Sequence, residues 1–156
     1  MKKQAYLFII FILFGFTVHA QKNYKIDTND TKKIWKHCII PIIENKKNKV
    51  LSTINFPLEG DWAFMMGLKK EGKDATKNEF LKNYDRFFND SLKSMLTNLD
   101  YNAFDSYESK KGTVYRIAGS RIINGEWEAS VVLHYRKIGN EFYMIRINGI
   151  GGNFYD

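Results

Sequence analysis

The chain is 156 residues long and carries 24 Lys and Arg against 17 Asp and Glu, a formal net charge of +7, with 44% hydrophobic and 15% aromatic residues. That length and apolar content suit one domain with a substantial core and exclude a disordered or low-complexity chain. A single cysteine, Cys38, excludes an internal disulfide framework.

Residues 1–20 read as a leader outside the fold. MKKQ supplies a positive start, AYLFIIFILFGF is an uncharged apolar run, and TVHA ends in the small-residue pattern of a signal-peptidase site. The run is short for a membrane span, which takes roughly 20 apolar residues. No cysteine follows Ala20, so a lipoprotein anchor is not expected, and the mature chain would begin at Gln21. The expected location is therefore exported, periplasmic or extracellular, with no stable membrane anchor. Removing Lys2 and Lys3 with the leader leaves 22 basic against 17 acidic residues, or +5, scattered through stretches such as NKKNK (45–49) and KKEGK (69–73). Without a basic stripe or a recognised motif, that excess reads as a solvated surface, and nucleic acid is not an expected partner.

Residues 21–29 read as a flexible N-terminal segment, and 30–156 as a single domain. From about Asp30, Ile34, Trp35, Cys38, Ile39, Ile42 and Ile43 recur at helical spacing, with Asp30 or Thr31 as cap. Pro41 should kink or shorten this helix because it removes a backbone donor. Cys38, in that apolar run, reads as a buried small hydrophobe, with His37 pointing to another side. VLSTINFPL (50–58) reads as a strand or extended segment, Pro57 marking its end or an exposed edge. The stretch 59–75 fits either a hairpin with Trp62 and Phe64 on one face or an irregular loop. Thr76-Lys77-Asn78-Glu79 is a capping box, followed by Phe80, Leu81, Tyr84, Phe87 and Phe88 at helical spacing. Asp90 or Ser91 restarts a helix through Leu92, Met95, Leu96 and Leu99. After Asp100 the period changes to two. NAFDSYE, 113–123, 126–138 and 141–149 read as strands, turning at Lys110-Lys111-Gly112, Asn124-Gly125 and Gly139-Asn140. Helices first and an antiparallel meander last predict an α+β domain.

INFPLEGDW ahead of KNEFLKNYDRFF, with VVLHYRKIGNEFYMIRI at the end, resembles the nuclear-transport-factor-like domains of the cystatin-like class, closest to secreted bacterial members. The resemblance spans about residues 30–149. It implies a cone-shaped roll, N-terminal helices packed on a curved antiparallel sheet, often with a pocket and often dimeric. The family hosts isomerases, dehydratases, cyclases and non-catalytic binding members, so fold alone does not settle function. No catalytic residue carries over by position.

No HExxH, CxxC, calcium-loop, GxSxG or phosphate-loop pattern is present, so neither metal nor cofactor is expected. Glu59, Asp61 and Asp85 are the open carboxylates, ordinary solvated acids unless burial raises a pKa. Regular pairing about Asn124-Gly125 places Tyr115 opposite His134, Ile117 opposite Val132 and Arg121 opposite Glu128. With Tyr143, Ile145 and Ile147 added, this face is too apolar for water. A homodimer through the sheet would cover it; so would a packed helix. The other face then holds Val114, Arg116, Ala118, Ser120 and Ile122 opposite Tyr135, Leu133, Val131, Ala129 and Trp127, with Met144, Arg146 and Asn148 alongside. Two arginines flanking Leu133 among small residues admit three explanations. A helix acid, Asp85 or Glu79, pairs with Arg116; a bulge turns it outward; or the face lines a hollow where Arg116 and Arg146 receive an anionic group. The hollow is the expectation taken forward, with Arg116, Arg146, Trp62, Ser120, Trp127, Tyr135 and Asn148 as ligand-binding residues. The expected function is a secreted, non-enzymatic domain that binds a small molecule or peptide in a cone-shaped pocket. The rivals are an isomerase- or hydratase-type enzyme using a pocket carboxylate, and an exported inhibitor or immunity-like protein acting through its surface. Intact-mass measurement on exported material is expected to show loss of residues 1–20, and a membrane-retained full-length chain would contradict the leader assignment.

Overall fold

The computed structural model describes residues 26–70, 74, 76–123 and 126–151, without the side chains of residues 65, 120–130, 150 and 151. Residues 1–20, expected as a leader, residues 21–25 of the segment 21–29 expected to be flexible, and Asn124-Gly125, expected to turn the hairpin, lie outside the described residues, whereas Thr28 and Asn29 of that segment are helical.

Asp27, rather than Asp30 or Thr31, caps the first helix, its carboxylate accepting from the Asn29 N–H at 2.8 Å. Asp30 instead accepts from the Tyr115 hydroxyl at 2.8 Å, tying the helix to the sheet. Helix α1 (Thr28–Ile34) runs through a π turn (Trp35–Ile39) into α2 (Ile40–Ile43). The Ile40 N–H reaches back to the Trp35 carbonyl, one residue further than in an α-helix. This wide turn immediately precedes Pro41, whose ring would crowd the carbonyl four residues back in a regular helix. The proline is thus absorbed without ending the helix. Cys38, Ile39 and Ile42 stay buried.

Helix α3 (Lys47–Ser52) occupies the first part of the stretch expected to be extended, and β1 (Ile54–Glu59) the rest. Pro57 lies exposed in β1, after a cis Phe56–Pro57 bond. Such a residue is tolerated because β1 is an edge strand. The stretch after it is neither a hairpin nor wholly irregular: Trp62–Met65 form a short helix, α4. Trp62 is fully buried while Phe64 is exposed. Thr76 and Glu79 make the reciprocal capping box that starts α5 (Lys77–Lys82). Helices α6 (Tyr84–Phe87) and α7 (Asp90–Thr97) follow, the latter capped by Asn89. Phe80 sits at the centre of an aromatic cluster, with ring centroids of Trp62, Phe87 and Phe88 at 5.1, 5.5 and 5.8 Å. The Trp62 indole N–H donates to the Leu58 carbonyl at 3.1 Å, so the core accepts it without an orphaned donor.

Strands β2 (Phe104–Ser109), β3 (Gly112–Ile123), β4 (Glu126–Ile138) and β5 (Glu141–Gly151) form the meander. The sheet order is β1-β5-β4-β3-β2. Only β1 departs from the expected antiparallel meander: it pairs parallel with β5, because the helices between β1 and β2 carry the chain across the sheet. Helices packed on one face of a curved, unclosed sheet complete the α+β fold.

Two one-residue bulges set which side chains face the helices. Ile122 pairs with Trp127 but Arg121 with Ala129, leaving Glu128 extra on β4. His134 pairs with Arg146 but Tyr135 with Met144, leaving Ile145 extra on β5. A one-residue slip exchanges the two faces of a strand. Regular pairing therefore fails beyond Arg121: Ile117 meets Leu133, Tyr115 meets Tyr135, and Arg116 meets His134. Tyr115, Ile117, Leu133, Tyr135, Met144 and Ile147 are buried in the core with the helices. The helices cover this face within one chain.

Gly60 closes β1 against β5. Its φ is +106°, and a Cβ there would collide with the Ile147 carbonyl oxygen. Gly67 has φ +67° with open space around it. Gly60→Ala is expected to lose about 2–3 kcal/mol of stability, combining strain with backbone displacement, against about 1 kcal/mol for Gly67→Ala. Urea denaturation of the two variants measures the difference, and equal losses would contradict the close approach.

Candidate functional site

Arg116 and Arg146 face away from the helices. The strand register puts Glu59, Arg146, His134, Arg116 and Asp105 side by side, one on each of the five strands. Arg116 forms a two-bond pair with Asp105, Nε to Oδ1 at 2.7 Å, and its guanidinium lies 5.1 Å from the Tyr107 ring centre. Arg146 donates to Glu59 at 2.8 Å. The side chains of the two arginines are 39% and 43% exposed. They share a face, as expected, but it is the outer face and each guanidinium has a carboxylate. The partner of Arg116 comes from the neighbouring strand, not from Asp85 or Glu79.

The remaining sequence-derived residues divide between the two sides. Trp62 and Tyr135 are fully buried on the helix side, apart from the arginines. Asn148 is half-buried on β5 beside Gly60. Ser120 and Trp127 belong to β3 and β4, but their side chains lie outside the described residues. Among the described residues, Trp62 and Tyr135 thus lie on the face opposite the arginines, where the bulges at Glu128 and Ile145 also put Leu133.

What the outer face does hold is a cleft of about 240 Å³, lined by Glu59, Tyr107, Ser109, Lys110, Lys111, Val114, Arg136, Ile145 and Arg146. Strand curvature brings residues from both sheet edges, β1 and β2, onto this one surface. Val114 and Ile145, only 1% and 8% exposed, supply apolar contact. Arg136, Lys110 and Lys111 form no ion pair with any described residue, and among the described lining residues Glu59 is the one carboxylate. Sequence reading missed Arg136, Lys110 and Lys111. The lysines looked like turn punctuation, and Arg136 shares the cleft only in the bulged register.

His134 stands between the two arginines. It is 6% exposed, and neither ring nitrogen has a hydrogen-bond partner among the described residues. The Tyr107 ring meets it edge-on at 6.4 Å. Burial first, then the charges of Arg146 and Arg116, push its pKa down to about 4. The imidazole is therefore neutral at neutral pH.

Glu79, considered as a partner of Arg116, is instead held down to about 2 by its bonds from Lys69 and Thr76. The carboxylates considered for acid–base work have other partners, Glu59 pairing with Arg146. Asp61 accepts from the Gly149 N–H at 2.8 Å, and exposed Asp85 lies 3.6 Å from Lys47. Burial pushes the Cys38 thiol up to about 12, far from a reactive thiolate, as its core position implies. Among the described residues no group of three or more His, Cys, Asp or Glu is placed to hold a metal ion, and no helix is long and apolar enough to cross a membrane.

No family model and no curated protein matches the chain. Among solved structures it is similar to a designed protein titled as an Rd1NTF2 variant, at 17% identity and a TM-score of 0.42, over 80% of this chain and all of that one. A score at this level describes partial overlap of the two chain traces.

The buried histidine has a measurable consequence. Its folded pKa of about 4 lies below the ordinary 6.5, so between those values the unfolded chain binds the extra proton. Its contribution to stability is complete above pH 6.5 and declines as pH falls towards 4, on the order of 1 kcal/mol per pH unit. His134→Gln is expected to remove this component. Urea midpoints for both proteins at pH 7, 5.5 and 4.5 measure it, and parallel pH slopes would contradict it.

Proposed function

We propose that this chain is an exported, non-enzymatic binding domain that holds the anionic group of a small molecule or peptide in the outer-face cleft. The carrying observation is the group of three cations without carboxylate partners among the described residues, Arg136, Lys110 and Lys111, around a concave surface with apolar contacts from Val114 and Ile145. Planar guanidinium suits a carboxylate or phosphate fork, and the two lysines add charge that adjusts to ligand shape. The leader-like first 20 residues support export, and the resemblance to nuclear-transport-factor-like domains supports a binding role. An isomerase or hydratase would need a carboxyl ready to exchange a proton beside the pocket. Glu59, the cleft's acid, is tied to Arg146, which favours binding over proton transfer. Arg146 remains part of the binding set from its new position. Arg116 flanks the cleft and is held by Asp105.

Calorimetric titration with succinate tests the reading. Arg136→Met is expected to weaken binding roughly tenfold, and Arg116→Met much less, because a charge-assisted pair to the ligand is lost only in the first. Equal affinities for wild type and Arg136→Met would reject the cleft as an anion site.

A further inference from the structure

The cleft is electrically lopsided. At one rim, on edge strand β1, stands Glu59. At the opposite rim, in the turn after edge strand β2, stand Lys110 and Lys111, with Arg136 between. Arg146 engages one oxygen of Glu59, Oε2, leaving Oε1 without a bond from any described residue. A carboxylate can accept several donors, so this oxygen retains capacity for one more cation. The Glu59 end is close to neutral when paired, whereas the far end carries three charges without ion-pair partners among the described residues. A purely anionic ligand would meet Glu59 as a repulsive neighbour. A ligand that also bears an ammonium group would meet it as an acceptor.

We propose that the cleft selects zwitterions: Glu59 receives the ligand's ammonium group, and Arg136 with Lys110 and Lys111 receives its anionic group. The apolar contacts of Val114 and Ile145, beside the Tyr107 ring, give the intervening side chain a surface to cover. A volume of about 240 Å³ accommodates a molecule of amino-acid size, or the end of a peptide. Free amino acids and short peptides carrying both charged termini are the ligand class that follows. This proposal rests on the anion-binding reading above and adds the acceptor at the other rim.

The test compares phenylalanine with N-acetylphenylalanine, which keeps the carboxylate and loses the ammonium, on wild type, Glu59→Gln and Arg136→Met. Gln retains a carbonyl acceptor for Arg146, and an exposed ion pair contributes little to folding, so the variant is expected to fold. Circular dichroism checks this. Wild type is expected to prefer phenylalanine by roughly three- to fivefold, the scale of one exposed ion pair. Glu59→Gln should abolish that preference, weakening phenylalanine and tightening the acetylated compound. Arg136→Met should weaken both. Equal wild-type affinities, with both weakened by Arg136→Met, would overturn zwitterion selection and leave anion binding standing. A wild-type preference that survives in Glu59→Gln would overturn the role of Glu59. Affinities for both probes unmoved by Arg136→Met, or no binding of either, would overturn this proposal; the succinate titration then judges the anion site separately.

Discussion

A sheet that packs helices on one face must decide, strand by strand, which side chains go in, and here two extra residues make that decision. With Glu128 and Ile145 absorbed as bulges, Leu133, Tyr135, Met144 and Ile147 turn to the helices together with Tyr115 and Ile117. The same adjustment delivers Arg116, His134 and Arg146 to the outer surface as neighbours. Core and candidate site are thus two results of one register. Neither arginine undergoes the desolvation that burial would impose, several kcal/mol per ion.

The helical layer depends on aromatic packing more than on helix length. Helices α4 to α6 have four to six residues each and would not persist alone in water. Phe80, Trp62, Phe87 and Phe88 hold them together through edge-on and tilted ring contacts. The Trp62 bond to Leu58 fixes the cluster to β1, and Gly60 lets β1 approach β5 closely enough to place Glu59 beside Arg146. The site therefore inherits its geometry from contacts on the other side of the sheet.

Much of the fold was legible because its signals are local. The Thr76 box, the Gly139-Asn140 turn and the period-two strands each depend on residues a few positions apart. Export and assembly concern segments and partners outside the described residues. The candidate site was legible only in part. Arg116 and Arg146 were picked out as sharing a face, which they do, but regular pairing assigned that face to a hollow. A bulge leaves no mark in composition or periodicity; it arises when burying Leu133 and Tyr135 outweighs a regular ladder, a tertiary balance. Asp105, two strands from His134, was equally invisible as the partner of Arg116, because strand pairing and not spacing brings it there.

The row across the outer face has an arrangement of charge with reach beyond its contacts. Acid, arginine, neutral histidine, arginine and acid sum to zero, so their combined potential fades over a short distance. Lys110, Lys111 and Arg136 form no ion pair with any described residue and add positive charge at their end of the face. At physiological ionic strength the field of that charge extends about 8 Å. An approaching anion would be drawn to the end of the face where the cleft opens, and its capture rate would fall as salt rises.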